Sequence, residues 1–120
     1  MVIKQREVYV LPHAITLLPT EKHPFIVLST EDANSHERTF IAVMMTGSEF
    51  TRDDYSFELN DSMFEFQLKK PGCHARMHLV TLCLDEKIIG NKVNTMKEFY
   101  FNQLMKSIGD LVFNYDFSPL

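Results

Sequence analysis

The apolar positions change period along the chain, and each change marks an element. Residues 7–11 (EVYVL) predict a first strand, ended by Pro12. The stretch that follows is loop-like, with Pro12, Pro19 and Pro24 in thirteen residues, although residues 14–18 could pair briefly. Residues 25–29 (FIVLS) and 39–46 (TFIAVMMT) are continuous apolar runs. Such runs predict strands covered on both faces. Gly47 ends the second, and the polar residues 30–38 between them read as a loop or one helical turn. From 55 to 68 the pattern alternates: Tyr55, Phe57 and Leu59, then Phe64, Phe66 and Leu68, around Asn60-Asp61. That predicts a β-hairpin. A basic turn at 69–72 leads into a strand over 74–84, polar on one face at first and apolar on both later.

The period then becomes helical. Phe101, Leu104, Met105, Ile108, Leu111 and Val112 recur at helical spacing, and Thr95-Met96-Lys97-Glu98 has the form of a capping box. Gly109 lies inside the stripe, at a cost of about 1 kcal/mol against alanine, so a break is possible there. Five or six short strands ending in one helix predict a mainly β fold, a small and strongly bent sheet or partial barrel. The apolar stripe of the helix is its core-facing side.

Composition sets the boundaries. At 120 residues the chain fits one domain, spanning 1–120. With 45% hydrophobic residues and ten Phe, it has apolar surface enough for a core and is not a disordered chain. No apolar run approaches the roughly 20 residues of a bilayer span, so no membrane association is expected. The start, Met1-Val-Ile-Lys-Gln-Arg, turns charged where a signal peptide would turn apolar. The two cysteines, Cys73 and Cys83, are too few for a disulfide framework and predict free thiols in a reducing cytoplasm.

Charge is uneven. The net charge is −4, which excludes a basic nucleic-acid binder taken as a whole. Residues 32–65 hold eight acids and two bases, whereas residues 67–106 hold seven bases and three acids. Folding can place these halves on different faces and leave one face positive enough to attract phosphates.

Candidate chemistry is sparse. Cys73, His74, His78 and Cys83 do not make a metal site on one strand. At about 3.3 Å per residue the cysteines lie roughly 33 Å apart and the histidines about 13 Å apart. The four glycines are scattered, so no phosphate-binding glycine loop exists. No metal and no cofactor is therefore expected. Period two does place His74, Arg76 and His78 on one strand face. Each can donate to a phosphate oxygen, and a histidine can move a proton near neutral pH. Thr46, Gly47 and Ser48 follow the buried strand and could add hydroxyl and amide donors. From spacing alone, a solvent-facing strand edge and a plain strand-terminating turn account for the same residues.

The order of the segments resembles the MazF/PemK (Kid) family of toxin endoribonucleases. Lys22-His23-Pro24-Phe25-Ile26-Val27-Leu28-Ser29 is similar to the family's R-P-x-x-V-L-S, with His23 standing where the family has arginine. Val43-Met44-Met45-Thr46-Gly47-Ser48 is similar to its buried strand ending in Thr-Ser. Leu68-Lys69-Lys70-Pro71, and residues 81–90 with Asp85, resemble the later basic stretch and T-x-D segment. Arg76-Met77-His78 resembles the Arg-x-Asp of the Kid branch, with histidine for aspartate.

The resemblance implies an SH3-like, strongly curved β-barrel with a long C-terminal helix, usually a homodimer. It implies metal-independent cleavage of single-stranded RNA, and an antitoxin partner whose extended tail covers the RNA groove. On that reading Arg76, His78 and Thr46 are catalytic. Lys22, His23, Gly47, Ser48, Lys69, Lys70 and His74 hold the substrate. The alternative is a catalytically inactive barrel that binds a peptide or protein in the same groove.

Overall fold

The computed structural model describes residues 1–18 and 20–116. Six strands, β1 (Glu7–Pro12), β2 (Lys22–Val27), β3 (Thr39–Thr46), β4 (Ser56–Glu58), β5 (His74–Leu84) and β6 (Ile89–Thr95), form one sheet. Its order is β4-β5-β3-β2-β1-β6, and every neighbouring pair is antiparallel. A one-turn helix α1 (Glu31–Asn34) and a long helix α2 (Glu98–Leu111) complete the chain.

The two continuous apolar runs are buried on both faces, as their pattern predicts. Ile26, Val43 and Met45 join the core that packs beneath α2, with Phe101, Leu104 and Ile108 from the helix. Phe25, Val27, Phe40, Ala42 and Met44 point the other way, into a second core closed by Ile3, Tyr9, Leu11 and Cys83. Alternate side chains of β2 and β3 thus serve two cores. This is why neither strand can carry a polar stripe.

Several local expectations are corrected. The hairpin over 55–68 does not form: β4 ends at Glu58, and Asn60 caps a single 3-10 turn, Asp61–Met63. The second alternating segment pairs elsewhere. Phe64 bridges Met96, Glu65 N donates to Thr95 O (3.0 Å), and the Asn94 side chain bonds both Phe66 N and Phe66 O. The alternation did mark extended chain, but a long-range partner took it. The same contacts dissolve the capping box. Thr95 is the last residue of β6, paired with Glu7, so α2 starts at Glu98 with Lys97 as its cap.

Pro12 is the last residue of β1, which it ends as expected, whereas β2 begins earlier than expected, at Lys22, with Pro24 opposite Val10. Residues 14–18 do not pair; they turn between the two strands. β6 is a strand that its polar sequence, Ile-Gly-Asn-Lys-Val-Asn-Thr, did not announce. The expected burial along β5 is reversed, with His74–Met77 buried and most of the distal half more open. In α2, Gly109 causes no break, while Met105 and Leu111 face outward at 38% and 50% exposure. Among the described residues no helix is long and apolar enough to cross a membrane.

Candidate functional site

A cavity of about 600 Å³ opens where the end of β3 meets the start of β2. Antiparallel pairing brings those ends together, because Phe25 lies opposite Met44 and Ile26 opposite Val43. The same register carried two residues further sets His23 level with Thr46. Both line the cavity, together with Lys22, Gly47 and Ser48. The far wall is residues 67–71, which contribute Lys69 and Lys70. The floor is apolar: Val8, Met45 and Phe64 belong to the core under α2.

The site is electropositive at its rim and apolar at its base. Lys22, Lys69 and Lys70 are exposed, and none forms an ion pair among the described residues. His23 is half-buried, its ring edge-on to His13 at 5.0 Å. Burial is the largest effect lowering its pKa below the usual 6.5, and the neighbouring His13 adds to it. The imidazole is therefore neutral at pH 7 and able to accept a proton. Thr46 is buried, and its Oγ1 accepts a hydrogen bond from Ser48 N (3.2 Å), which leaves the hydroxyl proton free to donate. A Cβ added at Gly47 would meet nothing within 4 Å, so this part of the rim is open.

Arg76, His78 and His74 do not line this cavity. They alternate along β5 with Ala75 and Met77, which face the core that floors it. Thr46 pairs with His74 across β3 and β5, so the three side chains share the sheet face of Thr46 and stand beside the cavity rather than in its lining. Arg76 is 6% exposed, and its terminal nitrogens are engaged. It pairs with both Asp53 oxygens (3.0 and 3.2 Å), with Ser56 Oγ (3.2 Å) and with Thr51 O. His78 is exposed, its ring tilted against Tyr55 at 5.6 Å, with Nε2 3.5 Å from Arg76. His74 is fully buried, and its Nε2 bonds Thr51 Oγ1 (3.1 Å).

Asn94 and Gln67 line the cavity without having been singled out by sequence. No motif marks them; they arrive through the pairing of residues 64–66 with β6. Neither thiol is a nucleophile here. Burial raises Cys73 and pushes Cys83 up to about 12. No cluster of metal-ligating side chains occurs among the described residues.

The arrangement of sheet and helix defines a class with known members. The chain superposes on MazF (Form-I) from Deinococcus radiodurans with a TM-score of 0.72 at 11% identity, covering 95% of this chain and 99% of that one. It superposes on an endoribonuclease from a mycobacterial species, solved in complex with its cognate antitoxin, with a TM-score of 0.67 at 14% identity over 91% of each chain. The Mycobacterium tuberculosis toxin MazF-mt6 gives 0.68 at 11% identity, over 93% of this chain and all of that one. No family model matches the chain, and no curated protein matches it in sequence. The fold is that of the MazF toxins.

Proposed function

We propose that this chain is the toxin of a toxin–antitoxin pair, a metal-independent endoribonuclease that cleaves single-stranded RNA in the cavity between β2 and β3. The observation that carries this reading is the convergence of His23 and Thr46, from adjacent strands, on one cavity walled by three lysines without carboxylate partners among the described residues. The MazF-like fold supports it. So does the sheet, which we read as an SH3-like barrel drawn together by the Phe64–Met96 bridge between the loop after β4 and the end of β6.

The residues divide the reaction as follows. Lys22, Lys69 and Lys70 neutralise the backbone on either side of the scissile phosphate. Neutral His23 takes the proton from the 2′-hydroxyl, and the 2′-oxygen attacks phosphorus. The Thr46 hydroxyl, and Ser48 beside it, donate to the non-bridging oxygen on which charge develops. The 5′-oxygen leaves with a proton taken from solvent water, the hydroxide so formed being neutralised by the proton His23 took up, and a 2′,3′-cyclic phosphate remains. Histidine in place of arginine supplies the base, while the lysines supply the charge.

Two chains form the active unit on this reading, joined through exposed apolar side chains such as Ile41 and Leu82, which pair across β3 and β5. An antitoxin segment competes with RNA for the cavity, and the cytoplasm is where both are met. The apolar floor favours one other reading, an inert module that holds an extended peptide. Incubation with single-stranded RNA separates them. Cleavage that His23→Ala abolishes supports the enzyme; peptide binding without cleavage supports the module.

A further inference from the structure

Outside the cavity lining, a polar cluster surrounds Arg76, and it is wired to the cavity rim. Arg76 donates to Thr51 O and grips Asp53 with both terminal nitrogens. His74, on the same strand face, bonds Thr51 Oγ1. Thr51 Oγ1 in turn lies 2.9 Å from Ser48 O, and Ser48 N donates to Thr46 Oγ1. Arg52 adds a second anchor through Gly72 O (2.6 Å). A chain of hydrogen bonds thus runs through residues 48–51 from a buried guanidinium to the hydroxyl at the cavity.

The segment between β3 and β4 needs such a device. Residues 47–55 contain only one 3-10 turn, Glu49–Thr51, and none of its residues is buried. No hydrophobic core holds them. Without a tether, the loop carrying Ser48 would sample many geometries, and a shift of about 1 Å in a catalytic group can cost on the order of a hundredfold in rate. A buried arginine paired in this way is costly to disturb, because removing one partner leaves the other charge without compensation.

We infer that Arg76 and His74 are positioning residues: buried on β5 beside Thr46, they clamp Thr51 and Asp53, and so fix Ser48 and Thr46 for reaction without touching RNA. This inference rests on the endoribonuclease reading for its catalytic consequence, but the clamp itself is measurable apart from it. Direct phosphate contact by Arg76 would have the opposite signature. If Arg76 touched the phosphate, removing Asp53 would free it and preserve or raise activity. If Arg76 is a clamp, Asp53 and Thr51 matter as much as Arg76 does.

The test uses the full chain with Arg76→Lys, Asp53→Ala, Asp53→Asn and Thr51→Val. Asp53 is exposed and Thr51 half-buried, so their variants should fold even where an Arg76 variant does not. Amide hydrogen exchange at Ser48, Thr51 and Arg52 should quicken by about tenfold in Asp53→Ala and Thr51→Val, as expected for local opening. In cleavage assays, kcat should fall about tenfold to a hundredfold with KM nearly kept, a loss of alignment rather than binding. Asp53→Asn, which keeps an acceptor for Arg76, should recover part of that loss. Unchanged exchange at these amides, or Asp53→Ala cleaving as fast as the natural chain, overturns the clamp. Should the natural chain cut no RNA, the enzyme reading fails, and the exchange measurement still decides the clamp.

Discussion

Thr46 lies opposite His74 in the β3–β5 ladder, so the hydroxyl at the cavity and a buried imidazole stand side by side on one sheet face. The two members of this pair have different tasks. Thr46 faces a cationic cavity, and His74 joins the Arg76 cluster.

Protonation should follow from that burial. His23 and His74 both have pKa values lowered from 6.5, and desolvation is the main cause for each. The unfolded chain takes up protons at the ordinary value, whereas the folded chain resists them. Between the two values the unfolded state binds more protons, so stability must fall as pH drops below 6.5. The melting temperature should therefore decline between about pH 7 and pH 5, and His74→Gln should flatten that slope. Thermal melts across the range check this; a melting temperature that rises on acidification would contradict it.

The cleavage rate should show a separate pH signature. A base must be neutral to act, so kcat/KM should rise with pH and level off with an apparent pKa below 6.5. His23→Ala should lose about 10²–10⁴ in rate and the acidic limb with it. A profile that is flat from pH 7 down to the onset of acid unfolding would assign the base elsewhere.

How much of this was legible in the sequence depends on the range of the contacts. β3 and β5 were legible to the residue, because a continuous apolar run and a long uninterrupted strand carry their own signal. The core face of α2 was legible through Phe101, Leu104 and Ile108. The pairing of Phe64 and Phe66 was not, since the alternating pattern gives the period of a strand but not its partner. Nor was β6, whose polar residues are ordered by hydrogen bonds to β1 and to residues 65–66. For the site, the order of short motifs did lead to Lys22, His23, Thr46, Ser48 and the two lysines that line one cavity. It placed Arg76 and His78 with them; they share the sheet face of Thr46 but stand outside the lining, because Arg76 is taken up by Thr51 and Asp53 of a loop whose fold no short motif records.

Packing gives a stability prediction. Leu104 is fully buried between α2 and the sheet, whereas Met105 is partly exposed. Leu104→Ala should cost about 2–5 kcal/mol, and Met105→Ala well under half of that. Urea titrations with unchanged slopes would measure both. Equal effects would mean that the helix is rotated from the face described.

The lysine wall should be read out by salt. Lys69→Ala with Lys70→Ala should weaken single-stranded RNA binding for every sequence tested. It should also reduce the log–log salt slope by about 1.4, at roughly 0.7 for each phosphate that is no longer neutralised. Binding titrations at several salt concentrations check this, and an unchanged slope would remove these residues from the RNA path.

The central claim is that the cavity at His23 and Thr46 cuts RNA through the 2′-oxygen. The most direct measurement incubates the purified chain, in the presence of chelator, with a single-stranded RNA and with the same sequence in 2′-deoxy form, and analyses the ends. The RNA alone should be cleaved, with a 2′,3′-cyclic phosphate and a 5′-hydroxyl at the new ends, and Thr46→Val should lose about 10²–10³ in rate. Cleavage of the deoxy strand, a requirement for added metal, or full activity in Thr46→Val would contradict it.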